Sequence, residues 1–379
     1  MASASPEDRA MIRESARSFL ADNATTADVR RWMATDLGYD PALWRRVAGE
    51  LGWPGLPLAE DHGGLGLGLG ETAILMEEMG ASLFCSPFFA TICLAGAMLT
   101  LAGSDDQKAE FLPKLAAGEA TATLAVSEPN GRPGAACIES LYCRDGSDYV
   151  LNGVKRFVVD GHSADLLIIA LRRSHSAGET GISLFAVPCD AAGLTREALP
   201  TLDQTRRQAE IMLNGVRLPK SALIGEEGNG WPVLSRVLDL GATALAAEQA
   251  GGARRCMELT VAYIQERVQF GRQIGSFQAI KHRAADMMVR VESAHAAAFE
   301  AAEAADAGDA DFPMLASMAK AYCSEAYFAN AGEAIQLHGG VGFTWEYDPH
   351  LFFKRARASA ELLGNAAWHR ERIANALEL

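Results

Sequence analysis

The chain has 379 residues, 49% hydrophobic and 22% charged, and its 48 acids against 34 bases leave a net charge of −14. At about 100–200 residues per domain this length accommodates two or three domains. The acidic balance argues against a nucleic-acid surface, which needs clustered Lys and Arg. The seven cysteines contain no C-x-x-C pair, so neither a zinc site nor a disulfide framework is indicated.

The first 120 or so residues carry helical signals. "SPEDRAMIRESARSFLADN" opens with Ser5 as N-cap, Pro6 at the first helical position and acids in the first turn. "PALWRRVAGELGW" and "GETAILMEEMGASL" continue the helical pattern. Between them "DHGGLGLGLG" departs from G-x-G-x-x-G and follows no strand, so a surface loop is expected there and not a dinucleotide fingerprint. The most apolar run, Phe88 to Gly103, is sixteen residues long. That is short for a bilayer span and reads as a buried helix. No basic segment followed by an apolar core opens the chain, so a cytoplasmic protein with reduced thiols is expected.

The pattern changes near Thr121. "TATLAVSE", "DYVLNGVKRFVVDG", "DLLIIALR", "ISLFAVPC" and "QAEIMLNGVRLP" are short, β-branched and bounded by turn residues. From Trp231 the helical period returns over 231–268, 276–306, 312–338 and 350–377, which predicts an antiparallel four-helix bundle. "AHAAAFEAAEAADAGDADF" reads as a solvated helix end with its loop. The predicted fold is therefore α+β and multidomain: an N-terminal helical domain (1–120), a central β domain (121–225) and a C-terminal helical bundle (226–379).

Among catalytic motifs, H-E-x-x-H, G-x-S-x-G and the Walker A sequence do not occur, and the eight histidines form no tight cluster with acids. Metal chemistry is not expected. Three other segments carry chemistry together. "ERVQFGRQIGSFQAIKH" sets Arg267 and Gln269 beside a turn with an exposed aromatic, Phe270, an arrangement suited to phosphate. "QLHGGVGF" ends a long helix in a backbone stripped of Cβ atoms, against which a phosphate or ribityl chain fits. "TLAVSEP" runs a strand into a turn with free N–H groups. Each alone has a plain structural alternative in a surface turn or in helix packing.

In order along the chain, "LGWPGLPLAEDHGGLGLG", "AVSEP", "YVLNGVKRFVVDGHSAD", "GVRLPKSALIGEEGNGW", "RVQFGRQIGSFQ" and "QLHGGVGF" resemble the acyl-CoA dehydrogenase family over nearly the whole length. The family's fold is helical, then β, then helical, and its C-terminal domain forms the oligomer core. The resemblance implies FAD as cofactor and an acyl-CoA as substrate, with an electron-transfer flavoprotein as acceptor. It implies that Arg267 pairs with the pyrophosphate of a neighbouring subunit's FAD. Gln269, Phe270 and Gln278 would flank that cofactor, and Gln336, Gly339 and Gly340 would admit it to the main chain. In the subunit's own site, Val126 and Ser127 would meet the isoalloxazine, with Phe157 stacking near it. No nucleic acid or membrane partner is implied.

The family's reaction needs a carboxylate base over the substrate α-carbon. Most members carry it just before a glycine in a segment like "YEGT"; here "ASAELLGN" puts Leu363 before Gly364. A minority carry it on the earlier long helix in a segment like "LDxER"; here "LDLGA" puts Gly241 there. Three nearby acids are candidate surrogates. Glu361 and Asp239 each lie two residues from a seat, a rotation of about 200°. Glu248 lies about 10 Å along the helix from Gly241. The half-site for the chain's own flavin is altered as well: Pro133 and Gly134 replace the family's G-S-D, and Val159 replaces its threonine.

Three readings follow from the resemblance. The chain is the base-lacking subunit of a heteromeric α2β2 dehydrogenase, such as those that act on bulky steroid side-chain thioesters. Alternatively it is a homo-oligomer with a displaced acid, or a non-catalytic acyl-CoA or flavin binder. Arg206 and Arg207 in "LDQTRRQAE" could contact a CoA phosphate, but a solvated turn is the simpler reading.

Overall fold

A computed structural model describes residues 4–379. The helices are α1 (Pro6–Asn23), α2 (Thr26–Trp32), α3 (Pro41–Gly49), α4 (Leu69–Ala81), α5 (Ala97–Ala102) and α6 (Asp105–Ala116). Then come the strands β1 (Ala122–Ala125), β2 (Leu141–Asp145), β3 (Asp148–Val159), β4 (Leu166–Arg173), β5 (Ile182–Pro188), β6 (Leu194–Ala198), β7 (Gln208–Leu218) and β8 (Leu223–Ile224). Helix α7 (Trp231–Glu266) leads into a hairpin of β9 (Val268–Gln269) and β10 (Arg272–Gln273). Four helices close the chain: α8 (Gln278–Ala307), α9 (Phe312–His338), α10 (Pro349–Glu361) and α11 (Ala366–Ala376). The expected helical, β, helical order is what the chain adopts.

Two compact units divide these elements. One holds residues 33–67 and 85–241; the other holds 4–32, 68–84 and 242–379. In the first, eight strands form one sheet in the order β6-β7-β3-β2-β4-β5-β8, with β1 parallel to β4. Tyr142, Tyr149 and Phe185 meet edge to face at its centre, with centroids 5.0–5.9 Å apart. The apolar run before the sheet is buried, as expected, and Phe89–Gly96 is wound as a π-helix that passes into α5. Arg206 and Arg207 are not a solvated turn. Arg206 is buried over the Phe89 ring, 5.0 Å from its centroid, and Arg207 donates to the carbonyls of Met33 and Thr35.

In the second unit α1 docks on α4 through charge. Ser5 and Asp8 cap α1 reciprocally, as its sequence predicts. The helical period then places Arg9, Arg13 and Arg17 on one face. They meet Glu71, Glu77 and Glu78, whose carboxylates are buried. Arg254 of α7 adds a 2.9 Å contact to Glu78, and His295 of α8 lies 2.8 Å from Glu77. Burial pushes the Glu77 carboxyl up, but the His295 hydrogen bond and the Arg13 charge outweigh it and hold the group below its ordinary range. The same balance, with Arg9 as partner, holds Glu71 down.

Two expectations need correction in this unit. The alanine-rich helix end is not solvated, although the loop after it is exposed over residues 307–311. Ala294, Ala298, Ala301, Ala302, Ala304 and Ala305 are buried, because side chains that small let α8 approach its neighbours closely. The glycine loop lies at the surface over residues 61–67, as expected, and its last residues open α4. The N–H groups of Leu69 and Gly70 donate to the Asp306 carboxylate at 2.7 and 2.8 Å, so α4 starts on an anion. The expected helix over 350–377 is two helices. Leu363 and Gly364 take φ of 57° and 99°, and Asn365 caps a fresh start at Trp368 N.

Glu78→Gln should lower stability by about 1–3 kcal/mol in chemical denaturation, the range for losing charge-assisted hydrogen bonds to partly exposed arginines. Acid should act on the same face. Glu71 and Glu77 have folded pKa values below the unfolded 4.5, so their contribution is complete above that pH and is lost as pH falls through the folded values. The denaturation midpoint should therefore be flat from neutrality towards pH 5 and should fall below about 4.5.

Candidate functional site

The turn after β1 is built by a buried ion pair. Glu128 accepts from Lys155 Nζ at 2.5 Å and from the backbone N–H groups of Glu139 and Ser140, each at 2.9 Å. Lys155 Nζ also donates to the Val126 carbonyl. Burial pushes the Lys155 amine down and Glu128 opposes it, while Lys155 and the two N–H groups outweigh burial and hold the Glu128 carboxyl below its ordinary range. This bridge fixes Val126 and Ser127. Beside them the register of β3 against β7 shifts between Lys155 and Val158, a β-bulge. Phe157 therefore takes φ 60° and stands 43% exposed, while the Arg156 N–H donates to the Ser127 carbonyl at 2.9 Å. Val126, Ser127 and Phe157 thus lie together on one open edge of the first unit.

The second unit gathers the remaining cofactor candidates at one end of its bundle. The β9–β10 hairpin turns on Phe270 and Gly271, both at positive φ, as a two-residue turn of this twist requires. Phe270 is 93% exposed. Arg267 is exposed, and among the described residues no side-chain partner engages its guanidinium. Gln269 reaches only its neighbour's carbonyl, and Gln278 stands exposed at the first position of α8. Gln336 is exposed in the last turn of α9. Gly339 takes φ 65°, and a Cβ built on Gly339 or Gly340 would meet nothing within 4 Å. Tyr263 stacks on His338 with centroids 4.3 Å apart, and Ile264, Met287 and Leu337 share a small core. The hairpin and the glycine corner therefore sit side by side.

This set fits the pyrophosphate-adenosine half of FAD. It offers an unpartnered guanidinium, an exposed ring and an open main chain. The edge at Phe157 fits a flat ring.

The two positions that the family resemblance marks for a base hold no acid. Gly241 is buried within α7, and Leu363 occupies the turn between α10 and α11. The surrogate acids are all engaged. Glu361 has a 51% exposed side chain and pairs with Arg357 one turn back at 3.2 Å. Glu248 is buried against Arg355 at 2.9 Å. Asp239 is buried and has a partner of its own.

Two residues at the Leu363 turn were missed from the sequence. Lys320 is buried, with its amine pushed down to about 7 by burial. His369 is buried beside it; burial, then Lys320, pushes the ring down to about 3, so it is neutral. The available signal was a lone lysine within a stripe of small residues, Ala316, Ala319, Cys323 and Ala326.

Comparison with known proteins decides the family. Models of the acyl-CoA dehydrogenase N-terminal, middle and C-terminal domains match residues 6–119, 123–216 and 228–378. The chain belongs to the acyl-CoA dehydrogenase family. A curated relative, acyl-CoA dehydrogenase IpdE2 of Mycobacterium tuberculosis (strain ATCC 25618 / H37Rv), is 38% identical over 94% of this chain and 93% of its own. Among solved structures, a Tcur3481-Tcur3483 steroid ACAD variant superposes with TM-score 0.87 at 29% identity, covering 98% of both chains. PigA with FAD and proline superposes with TM-score 0.92 at 27% identity over the full length of both. Among the described residues of this family member, no helix is long and apolar enough to cross a membrane.

Glu128→Gln should strand the Lys155 amine in an apolar interior and cost about 3–5 kcal/mol, read as a shifted urea midpoint. It should also weaken retention of flavin, because the Val126–Ser127 turn loses its anchor.

Proposed function

We propose that this chain is the base-lacking subunit of a heteromeric α2β2 acyl-CoA dehydrogenase that desaturates an acyl-CoA thioester between its α and β carbons. The observation that carries this reading is the occupancy of the two seats. Leu363 and Gly241 cannot take a proton, and the nearby acids are held in ion pairs or buried. A homologous partner chain supplies the carboxylate. FAD, when bound, supplies the hydride acceptor at N5. This chain's own residues bind and orient it. Arg267 holds pyrophosphate oxygens, and Phe270, Gln269 and Gln278 flank the adenosine side. Gln336, Gly339 and Gly340 let the cofactor lie on the main chain. Val126, Ser127 and Phe157 border the ring. A three-domain division at 120 and 225 accompanies this reading, as do a cytoplasmic location and an electron-transfer flavoprotein as acceptor.

Placement within the second unit supports a shared site. Lys320 contacts the Leu363 turn, while His338 adjoins the glycine corner. Eighteen residues of α9 separate the two, a distance of about 27 Å along a helix. The base seat and the cofactor arm of one chain therefore serve different flavins. The name of one structural neighbour joins two designations, Tcur3481 and Tcur3483, and describes a steroid ACAD, which accords with a paired enzyme for a bulky acyl group. A homo-oligomer with a displaced acid is less well supported, since Glu361 points to solvent and Glu248 is neutralised by Arg355.

The deciding measurement is FAD per chain, with desaturation of an acyl-CoA, for the protein expressed alone and with a homologous partner. Little flavin alone and one FAD per pair of chains in an active complex are expected; one FAD per chain with full activity alone would overturn the reading. In the active complex, Arg267→Ala should weaken FAD retention about 10–100-fold, the loss of a charge-assisted phosphate contact, without unfolding the chain.

A further inference from the structure

The turn at Leu363 is held by groups that the functional reading does not use. Helix α10 ends at Glu361, and its last carbonyls have no intrahelical donors. Lys320 rises from α9 beneath them, fully buried. Its Nζ lies 3.2 Å from the Ala360 carbonyl, 3.2 Å from the Gly364 carbonyl and 2.9 Å from Ser324 Oγ. An ammonium has three N–H donors, and here it meets three neutral oxygens. One carbonyl between those two positions is also taken: His369 Nε2 lies 3.1 Å from Leu363 O.

The need for such a clamp is local. Leu363 is a γ-branched residue at φ 57°, a conformation that costs about 1–2 kcal/mol and persists only where the surroundings dictate it. Gly364 follows at φ 99°, and a Cβ there would lie 2.4 Å from the Trp368 ring, so the position suits glycine alone. The polar thread continues inward. Ser324 Oγ lies 3.2 Å from Gln249 Oε1, and Gln249 Nε2 donates to Ser359 Oγ at 3.1 Å. Thus α7, α9 and α10 share one buried network that ends on the turn. The titratable groups facing the amine are Cys323 from α9, Glu361 from α10 and His369 from α11.

We propose that Lys320 is the positioning residue of this turn: it bridges the Ala360 and Gly364 carbonyls and so holds Leu363 in place as a wall of the acyl site. This rests on the reading above that the turn is the vacant base seat. Lys320 touches neither substrate nor cofactor in this role. It fixes the main chain from behind, and the acyl chain senses it through Leu363.

The test is Lys320→Met, a swap of similar length that removes every donor. It is made in the flavin-loaded assembly that carries desaturation, with amide hydrogen exchange of residues 359–366 followed beside steady-state kinetics. Exchange in that segment should quicken about tenfold or more, as expected for losing a charged hydrogen bond, with FAD content unchanged. The KM for acyl-CoA should rise about tenfold, with a smaller change in kcat. Unchanged exchange overturns the clamp. Faster exchange with KM and kcat unchanged overturns the positioning role, because the turn is then not a wall of the acyl site. Should the wild-type assembly show no desaturation, the functional reading itself has failed, and the exchange result still judges the clamp. If Lys320→Met does not fold, the wild-type protein answers alone. Amides of 362–366 protected like those of α9 support the clamp, and amides exchanging as fast as residues 376–379 overturn it.

Discussion

Burying an ionised side chain costs several kcal/mol unless opposite charge and backbone dipoles surround it. In this chain that constraint shapes the functional corners. Glu128 and Lys155 are removed from water together, and the bridge between them dictates the turn at Val126 and Ser127. Glu71, Glu77 and Glu78 are buried on α4 and demand the arginines of α1. Lys320 is buried without a direct ion pair, feels the Glu361 charge only from further off, and is answered mainly by carbonyl oxygens. Glu128 and Lys320 are tolerated in part because they satisfy backbone atoms that a bend in the chain leaves without partners, whereas Glu77 and Glu78 are answered by side chains alone. The open edges against which a cofactor or substrate fits are the outward sides of those same bends.

Much of this was legible in the sequence, for identifiable reasons. The helix caps are local chemistry, so Ser5, Pro6 and Asp8 announce α1 without knowledge of the rest. The exposed Phe270 beside Arg267 was also legible, because a positive-φ turn between two helical runs leaves few alternatives. The strands were legible through their period and their boundaries. What stayed hidden was set by tertiary environment. The alanines of α8 read as solvent-exposed because small side chains carry little hydrophobic signal, yet their smallness is what lets them be buried. The break at Leu363 was invisible because leucine favours helix, and only Gly364 and the groups below the turn override it. Arg206 looked like a solvated charge because nothing nearby in sequence discloses Phe89 as its partner.

The candidate site divides in the same way. Its glycines, arginine and exposed rings lie in contiguous motifs, so pattern finds them. The groups that hold those motifs in place do not. Glu128 and Lys155 are twenty-seven residues apart, and Lys320 acts on a turn more than forty residues on. The lack of an acid at Leu363 and Gly241, the two positions that the resemblance marks for the base, was the clearest signal, since a residue type that cannot take a proton is readable at once. How the nearby acids are engaged needed geometry, because the pairing of Glu248 with Arg355 joins helices distant in sequence.

Helix α9 carries the Lys320 contact near one end and the glycine corner at the other, on a single unbroken rod of 27 residues. Such a rod behaves as a ruler. One residue inserted between Lys320 and His338 would lengthen it by about 1.5 Å and rotate one end against the other by about 100°. Substitutions along the rod leave that phase untouched, whereas an insertion or deletion changes both terminal registers at once. The length of α9 therefore ties the register of the Leu363 turn to that of the glycine corner.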